Sequence, residues 1–319
     1  MSEQIALLFP GQGSQQVGMA RDLAEAYSQA QAVLAQADEI LGTPLSRTIF
    51  QGPAEELDDT INTQPALLVA SLACWEALRA RGFEKRAAFV AGHSLGEYTA
   101  LVVAGSLPFA ESIRLVRERG RLMQEAGQRR PGGMAAILGL EDAAVQEICR
   151  TVNSRLSGGL SLLAVANYNS PGQVVISGER DALQEAMRLA RQRGAAKVLT
   201  LAVSIAAHSP LMEPAARGLA QAIARAPIGE ASIPLVANLT AEPITYPEEI
   251  RQELIQQLIG SVRWTASIQR MIAEGVNCFI EVGPGRVLSG LVKRIDGQVK
   301  VLNVSDNDSL EKTLATTGS

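Results

Sequence analysis

Short apolar runs, each long enough for a buried strand, alternate with longer segments of helical period along most of the chain. Ile5–Phe9 is the first such run, and it empties into Pro10-Gly11-Gln12-Gly13-Ser14-Gln15. Helical periodicity occupies residues 23–41. A further helix is predicted to open at Gln64-Pro65, with the proline in the tolerated first turn, and to stop near Gly82. Phe89–Gly92 is apolar again, and residues 98–104, rich in alanine and leucine and free of proline, read as the helix that follows it.

Residues 108–125 form a helix whose wheel is informative. At about 100° per residue, Phe109, Ile113, Leu115, Val116, Leu122 and Met123 share one broad arc. Arg114, Arg117 and Arg121 fall opposite with Glu111, Glu118 and Glu125, as a solvated face should. Arg119 lies within the apolar arc. A buried cation needs an anion, because removing the partner of a buried charge costs about 3–5 kcal/mol. That anion is either an acid elsewhere in the chain or a carboxylate on a ligand, whose geometry a guanidinium matches in bidentate fashion.

Residues 128–133 read as a linker, and the pattern changes after it. Strand 134–138, helix 142–152, strand 162–166, turn 167–172, strand 173–177, helix 180–193 and strand 197–203 give β-α-β-β-α-β, a ferredoxin-like unit. Val203-Ser204-Ile205 returns the chain to the main body. Ser209 is placed as N-cap and Pro210 at the first helical position of a helix over 211–226. The remainder repeats the alternation: strand 235–238, helix 247–258, helix 264–274, strand Cys278–Val282 and helix 287–293, with the residues after Val304 expected to be loosely held. The fold class is therefore α/β, with residues 1–128 and 203–319 as a discontinuous large domain and 129–202 as a smaller insertion.

The candidate chemistry centres on Gly92-His93-Ser94-Leu95-Gly96-Glu97. A serine with glycine two residues before and two after, between an apolar strand and a helix, is the pattern of a nucleophile elbow. Glycine is needed there because strand and helix approach too closely for a Cβ. The turn after Ile5–Phe9 presents backbone N–H groups suited to phosphate or to an oxyanion, and it lacks the further glycines or Gly-Lys-Ser/Thr of nucleotide-binding loops. The chain has two histidines. His93 should point away from an elbow serine, which leaves His208, just before a helix N-terminus, as the candidate base.

Length and charge narrow the function classes. A chain of 319 residues supports two domains or one with an insertion. A formal charge of −4, with Lys and Arg spread throughout, gives no footprint for nucleic acid or a membrane surface. Cys74, Cys149 and Cys278 are odd in number, far apart and set in apolar sequence, which predicts free thiols in a reducing compartment and no metal site. Met1-Ser2-Glu3-Gln4 has no basic region, and nowhere do 18 uncharged apolar residues run together, so the protein is expected in the cytoplasm.

Taken together, Phe9-Pro10-Gly11-Gln12-Gly13-Ser14-Gln15, Gly92-His93-Ser94-Leu95-Gly96-Glu97, Arg119, Asn167-Tyr168-Asn169-Ser170-Pro171-Gly172-Gln173, His208-Ser209 and Glu281-Val282-Gly283-Pro284-Gly285 resemble the malonyl-CoA:acyl carrier protein transacylases, in the acyltransferase family of fatty acid and polyketide synthesis. The resemblance covers nearly the whole chain. It implies an α/β-hydrolase-like large domain with an inserted ferredoxin-like domain. It also implies ping-pong transfer of a malonyl group from malonyl-CoA to holo acyl carrier protein, with both thioesters as substrates, no separate cofactor and a monomeric enzyme. Ser94 is then the nucleophile, His208 its base, Arg119 the clamp on the malonyl carboxylate, and the N–H groups of Gln12 and Leu95 the oxyanion hole. Gln257 matches the position whose main-chain carbonyl orients the histidine, giving a dyad without a side-chain acid, and Asn167 and Asn169 match positions near the pantetheine entrance.

One departure bears on selectivity. Many malonyl-selective relatives carry phenylalanine directly before the histidine, whereas this chain has Ala207, which leaves room for methylmalonyl or larger extender units. Leu95 argues the other way, and a methylene of pocket volume is worth only about 1–3 kcal/mol. The rival readings are a carrier-protein hydrolase of the same fold, which would not need Arg119, and a non-catalytic docking module, which would not need both Ser94 and His208.

Overall fold

The computed structural model describes residues 3–156, 163–203 and 205–318. Strands β1 (Ile5–Phe9), β2 (Phe89–Gly92), β3 (Gly132–Leu138), β4 (Leu163–Ser170), β5 (Gln173–Glu179), β6 (Lys197–Thr200), β7 (Leu235–Val236), β8 (Pro243–Ile244), β9 (Cys278–Val282) and β10 (Lys300–Val304) form two sheets. The larger has the order β10-β9-β1-β2-β7-β8, parallel except for β7 against β8. Its central strand β1 is buried on both faces, as a parallel sheet covered by helices requires. Ile5, Leu7 and Phe9 join the core that includes the helix Thr60–Ala80, while Ala6 and Leu8 join the core with Trp264, Ile268 and Leu288.

The smaller sheet is antiparallel, order β4-β5-β3-β6. Helices Asp142–Leu156 and Arg180–Gln192 pack on one face around Ile137, Val145, Ile148 and Ile176. Met134, Ala136, Ala166 and Val175 on the other face meet Ala207. The chain order strand, helix, strand, strand, helix, strand is the one the periodicity predicts. Leu162 and Ser204, assigned above to a strand and to the return segment, lie outside the described residues, as do Met1 and Ser2. No helix among the described residues is long and apolar enough to cross a membrane.

Several expectations are corrected. The helix containing Pro65 begins at Thr60, capped by the Asp59 side chain, so the proline sits in its interior. Proline has no N–H for the Ile61 carbonyl four residues back. Arg117 Nη1 supplies the missing donor, 3.0 Å from Ile61 O. The helix Phe109–Arg129 can press this close because a Cβ at Gly120 would lie 2.8 Å from Thr60 O. The supposed linker shrinks accordingly: the helix runs to Arg129 and β3 starts at Gly132. Asn167 and Asn169 belong to β4, not to a turn, with register shifts between Val165 and Asn167 and between Tyr168 and Ser170. The tail after Val304 is also ordered. Asn307–Thr317 is a helix capped by Asp306, with Leu310 and Leu314 buried in the main core.

Candidate active site

The elbow forms for the reason its glycines suggest. A Cβ at Gly92 would lie 1.9 Å from the Gly96 carbonyl carbon, and one at Gly96 would lie 2.1 Å from Phe9 O. Ser94 adopts φ 53°, left-handed backbone that a non-glycine residue occupies at a cost. Asn238 holds it there. Its Oδ1 accepts the Ser94 N–H at 2.7 Å, and its Nδ2 donates to Gly92 O at 2.8 Å. A Cβ at Gly11 would meet His93 O at 2.3 Å, so the loop after β1 packs directly on the elbow.

His208 also has positive φ, 58°, and is buried. Its N–H donates to Leu258 O at 3.1 Å, and Nδ1 lies 2.8 Å from Gln257 O and 3.1 Å from Gly260 O. Carbonyls accept only, so Nδ1 carries the proton and Nε2 is left as the acceptor. Nε2 is 2.8 Å from Ser94 Oγ. The geometry is that of a serine hydroxyl donating to an imidazole steered by main-chain carbonyls.

Arg119 completes the cluster. It is fully buried, with Nη1 donating to Gln64 Oε1 at 2.7 Å, and Nη2 to Ser94 Oγ at 3.0 Å and Gln257 Oε1 at 3.1 Å. All of those acceptors are neutral, and Arg119 Nε has no partner among the described residues. No carboxylate there forms an ion pair with it. Its guanidinium carbon lies 5.8 Å from the centre of the Tyr98 ring. A dry cation with spare donors, beside a nucleophile, is a receptor for an anionic ligand.

Burial, first, and the Arg119 charge, second, hold the His208 imidazolium down at a pKa of about 3. The ring is therefore neutral, and ready to accept a proton, across the physiological range. Burial likewise lowers Arg119 below its ordinary value, against the pull of Tyr98 and Glu97.

Ser94, His208 and Arg119 converge, and Gln257 meets them through its side chain as well as through the main-chain carbonyl that the resemblance implied. Leu95 is buried beside the elbow and Gln12 is exposed on the loop after β1, its side chain donating to Thr60 Oγ1 at 3.1 Å. Neither the Gln12 N–H nor the Leu95 N–H has a hydrogen-bond partner among the described residues. His93 points away from the serine, as expected. Its Nε2 lies 2.9 Å from Asn169 Oδ1, and its ring is 5.5 Å from that of Trp264. Asn167 pairs with Val262 through the backbone, where β4 meets the main body. Neither Asn167 nor Asn169 hydrogen-bonds to Ser94, His208 or Arg119. Sequence reasoning missed Asn238, Gln64 and Glu97. Glu97 alone stood inside a recognised motif, and its buried carboxyl accepts from Asn238 N and Gln257 Nε2.

Residues 6–309 match the acyl transferase domain family. The chain is 44% identical over 313 residues to the malonyl CoA-acyl carrier protein transacylase of Bacillus subtilis, covering 98% of this chain and 97% of that one. It superposes with a TM-score of 0.93 on the acyl-carrier-protein S-malonyltransferase of Bartonella henselae, at 41% identity, covering 99% of this chain and 100% of that one. A malonyl-transacylase solved in complex with its type II polyketide acyl carrier protein matches with a TM-score of 0.93 and 42% identity, covering 98% of this chain and 100% of that one.

Proposed function

The chain belongs to the acyl transferase domain family, and from that premise we propose how its cluster moves a malonyl group from malonyl-CoA to the phosphopantetheine thiol of holo acyl carrier protein. The observation that carries the reading is Arg119, buried against Ser94 with no anion bonded to it. The malonyl carboxylate supplies that anion. Its arrival offsets the Arg119 charge, the second cause of the low His208 pKa, so substrate binding strengthens the base at the moment it is needed.

Ser94 Oγ attacks the thioester carbonyl while His208 Nε2 takes its proton. The electron pair displaced from the carbonyl becomes an oxyanion, which we place at the unpartnered N–H groups of Gln12 and Leu95; removing one such donor costs about 100- to 1000-fold in rate. The intermediate collapses, the carbon–sulfur bond breaks, and CoA leaves with the proton from His208. The pantetheine thiol then gives its proton to His208, attacks the acyl-serine, and Ser94 recovers its hydrogen. Gln257 O and Gly260 O steady the imidazolium through both steps. Asn167 and Asn169 we place on the wall past which the pantetheine arm enters, with Asn169 also fixing His93. The reaction is set in the cytoplasm, on a monomer, with no cofactor beyond its substrates.

Mixing the protein with malonyl-CoA and holo carrier protein tests this. Malonyl carrier protein should accumulate, and added CoA should drive it back. Release of free malonate as the main product would favour the hydrolase reading instead.

A further inference from the structure

Glu97 is fully buried, and no step above uses it. Its Oε1 accepts the Asn238 N–H at 2.6 Å and its Oε2 accepts from Gln257 Nε2. Both neighbours lead to the reacting groups. The Asn238 side chain holds the Ser94 N–H, and the other end of the Gln257 amide, Oε1, faces Arg119 Nη2. An amide has a donor end and an acceptor end. With its NH2 turned to Glu97 and to Ser94 O at 2.9 Å, Gln257 must offer its oxygen to Arg119. Reversed, it would present N–H groups to a guanidinium that can only donate.

We infer that Glu97 is a positioning residue for the transfer: as a carboxylate it fixes which way round Gln257 lies, and so aims Arg119 and the elbow together. Protonated, Glu97 loses its charge and carries a donor on one oxygen, so it holds two neighbours that both donate less firmly and enforces the sense of Gln257 less strictly. The inference rests on the malonyl-transfer reading.

The titratable groups that face Glu97 are Glu253 from the helix Pro247–Gln256, Arg119 from the helix Phe109–Arg129, and Tyr98 from its own helix. His208 meets it only through Gln257. Glu253 is nearly buried and accepts the Leu239 N–H at 3.1 Å. Burial first, and the Glu253 charge second, push the Glu97 carboxyl well above the ordinary carboxylate range. Glu97 therefore takes up its proton at a higher pH than an ordinary carboxyl, and before His208 is charged.

The test is the single-turnover rate of Ser94 malonylation, read by intact mass between about pH 5 and about pH 9, for wild type, Glu97→Gln and Glu253→Gln. Glu97→Gln should be about 10- to 100-fold slower than the wild-type plateau, the loss of one hydrogen bond to a charged group. Its profile should be flat, with the wild type falling towards it as pH drops. Glu253→Gln keeps every hydrogen bond of Glu97 and should move the acid limb to lower pH. A Glu97→Gln enzyme with the wild-type rate, or with the same limb at a lower rate, overturns the inference. If circular dichroism shows Glu97→Gln unfolded, an unshifted limb in Glu253→Gln overturns it alone. A wild-type protein that takes no malonyl group contradicts the transfer reading instead, which keeps the two failures apart.

Discussion

Arg119 Nη2 lies 3.0 Å from Ser94 Oγ, so the charge that should bind a substrate carboxylate already touches the atom that should attack its thioester. A malonyl group has its carboxylate and its thioester carbonyl on one carbon. Cation and nucleophile must therefore be near neighbours, and in this fold they are.

Replacing Arg119 with alanine should lower the rate of malonylation by malonyl-CoA about 100-fold, in line with the loss of a paired charge-assisted contact. Acetylation by acetyl-CoA, which lacks the carboxylate, should change far less. The ratio of the two rates is the readout, and an unchanged ratio would remove the clamp from the mechanism.

Asn238 bonds both the Ser94 N–H and Gly92 O, 2.7 and 2.8 Å away. Asn238→Ala removes both bonds, the one to Gly92 O buried and the one from the Ser94 N–H part-buried, at up to about 1–3 kcal/mol each. Urea unfolding should show that loss of stability, and kcat should fall with little change in KM, since the side chain positions the nucleophile without meeting substrate.

His208 gives stability an acid sensitivity whose sign can be worked out. Its folded pKa is about 3. An unfolded histidine titrates near pH 6.5, so below that pH the unfolded state binds a proton that the folded state refuses, and stability falls. Between pH 7 and pH 5 the loss is about 2 kcal/mol. Glu97, whose pKa is raised, works in the opposite sense and gains stability as pH falls. Comparison with His208→Gln isolates the histidine: the wild type should lose more stability than the variant over that interval. Equal losses would show that the histidine ionises as freely folded as unfolded.

Gly92→Ala would put a Cβ 1.9 Å from the Gly96 carbonyl carbon, against backbone that cannot yield. Overpacking of this kind costs about 1–3 kcal/mol and sometimes more. The melting temperature should drop by many degrees, or soluble protein should be lost. A stable and active Gly92→Ala enzyme would mean the strand and helix do not meet as described.

What the sequence revealed divides by physical origin. Ser94 and Arg119 were legible because each breaks a local pattern: a serine between glycines at a strand end, a cation inside an apolar arc. The interior position of Pro65 was hidden because its cost is met from outside the helix, by Arg117 at Ile61 O. The order of the C-terminal helix is hidden in the sequence because it comes from Leu310 and Leu314 docking into a core built mostly by earlier segments. Asn238, Gln257 and Glu97 meet across more than a hundred residues of chain, and no spacing along it announces such a meeting. The bond from Gln257 O to His208 involves a main-chain atom, which any residue type would provide, so only kinship pointed to it.

The most direct test of the central claim is the intact mass of the protein after brief exposure to malonyl-CoA. Wild type should gain one malonyl group, mapped by peptide digestion to Ser94 and lost on adding holo carrier protein, while Ser94→Ala should gain none. An adduct that persists in Ser94→Ala, or a wild-type protein that stays unmodified while transfer still proceeds, would contradict the account.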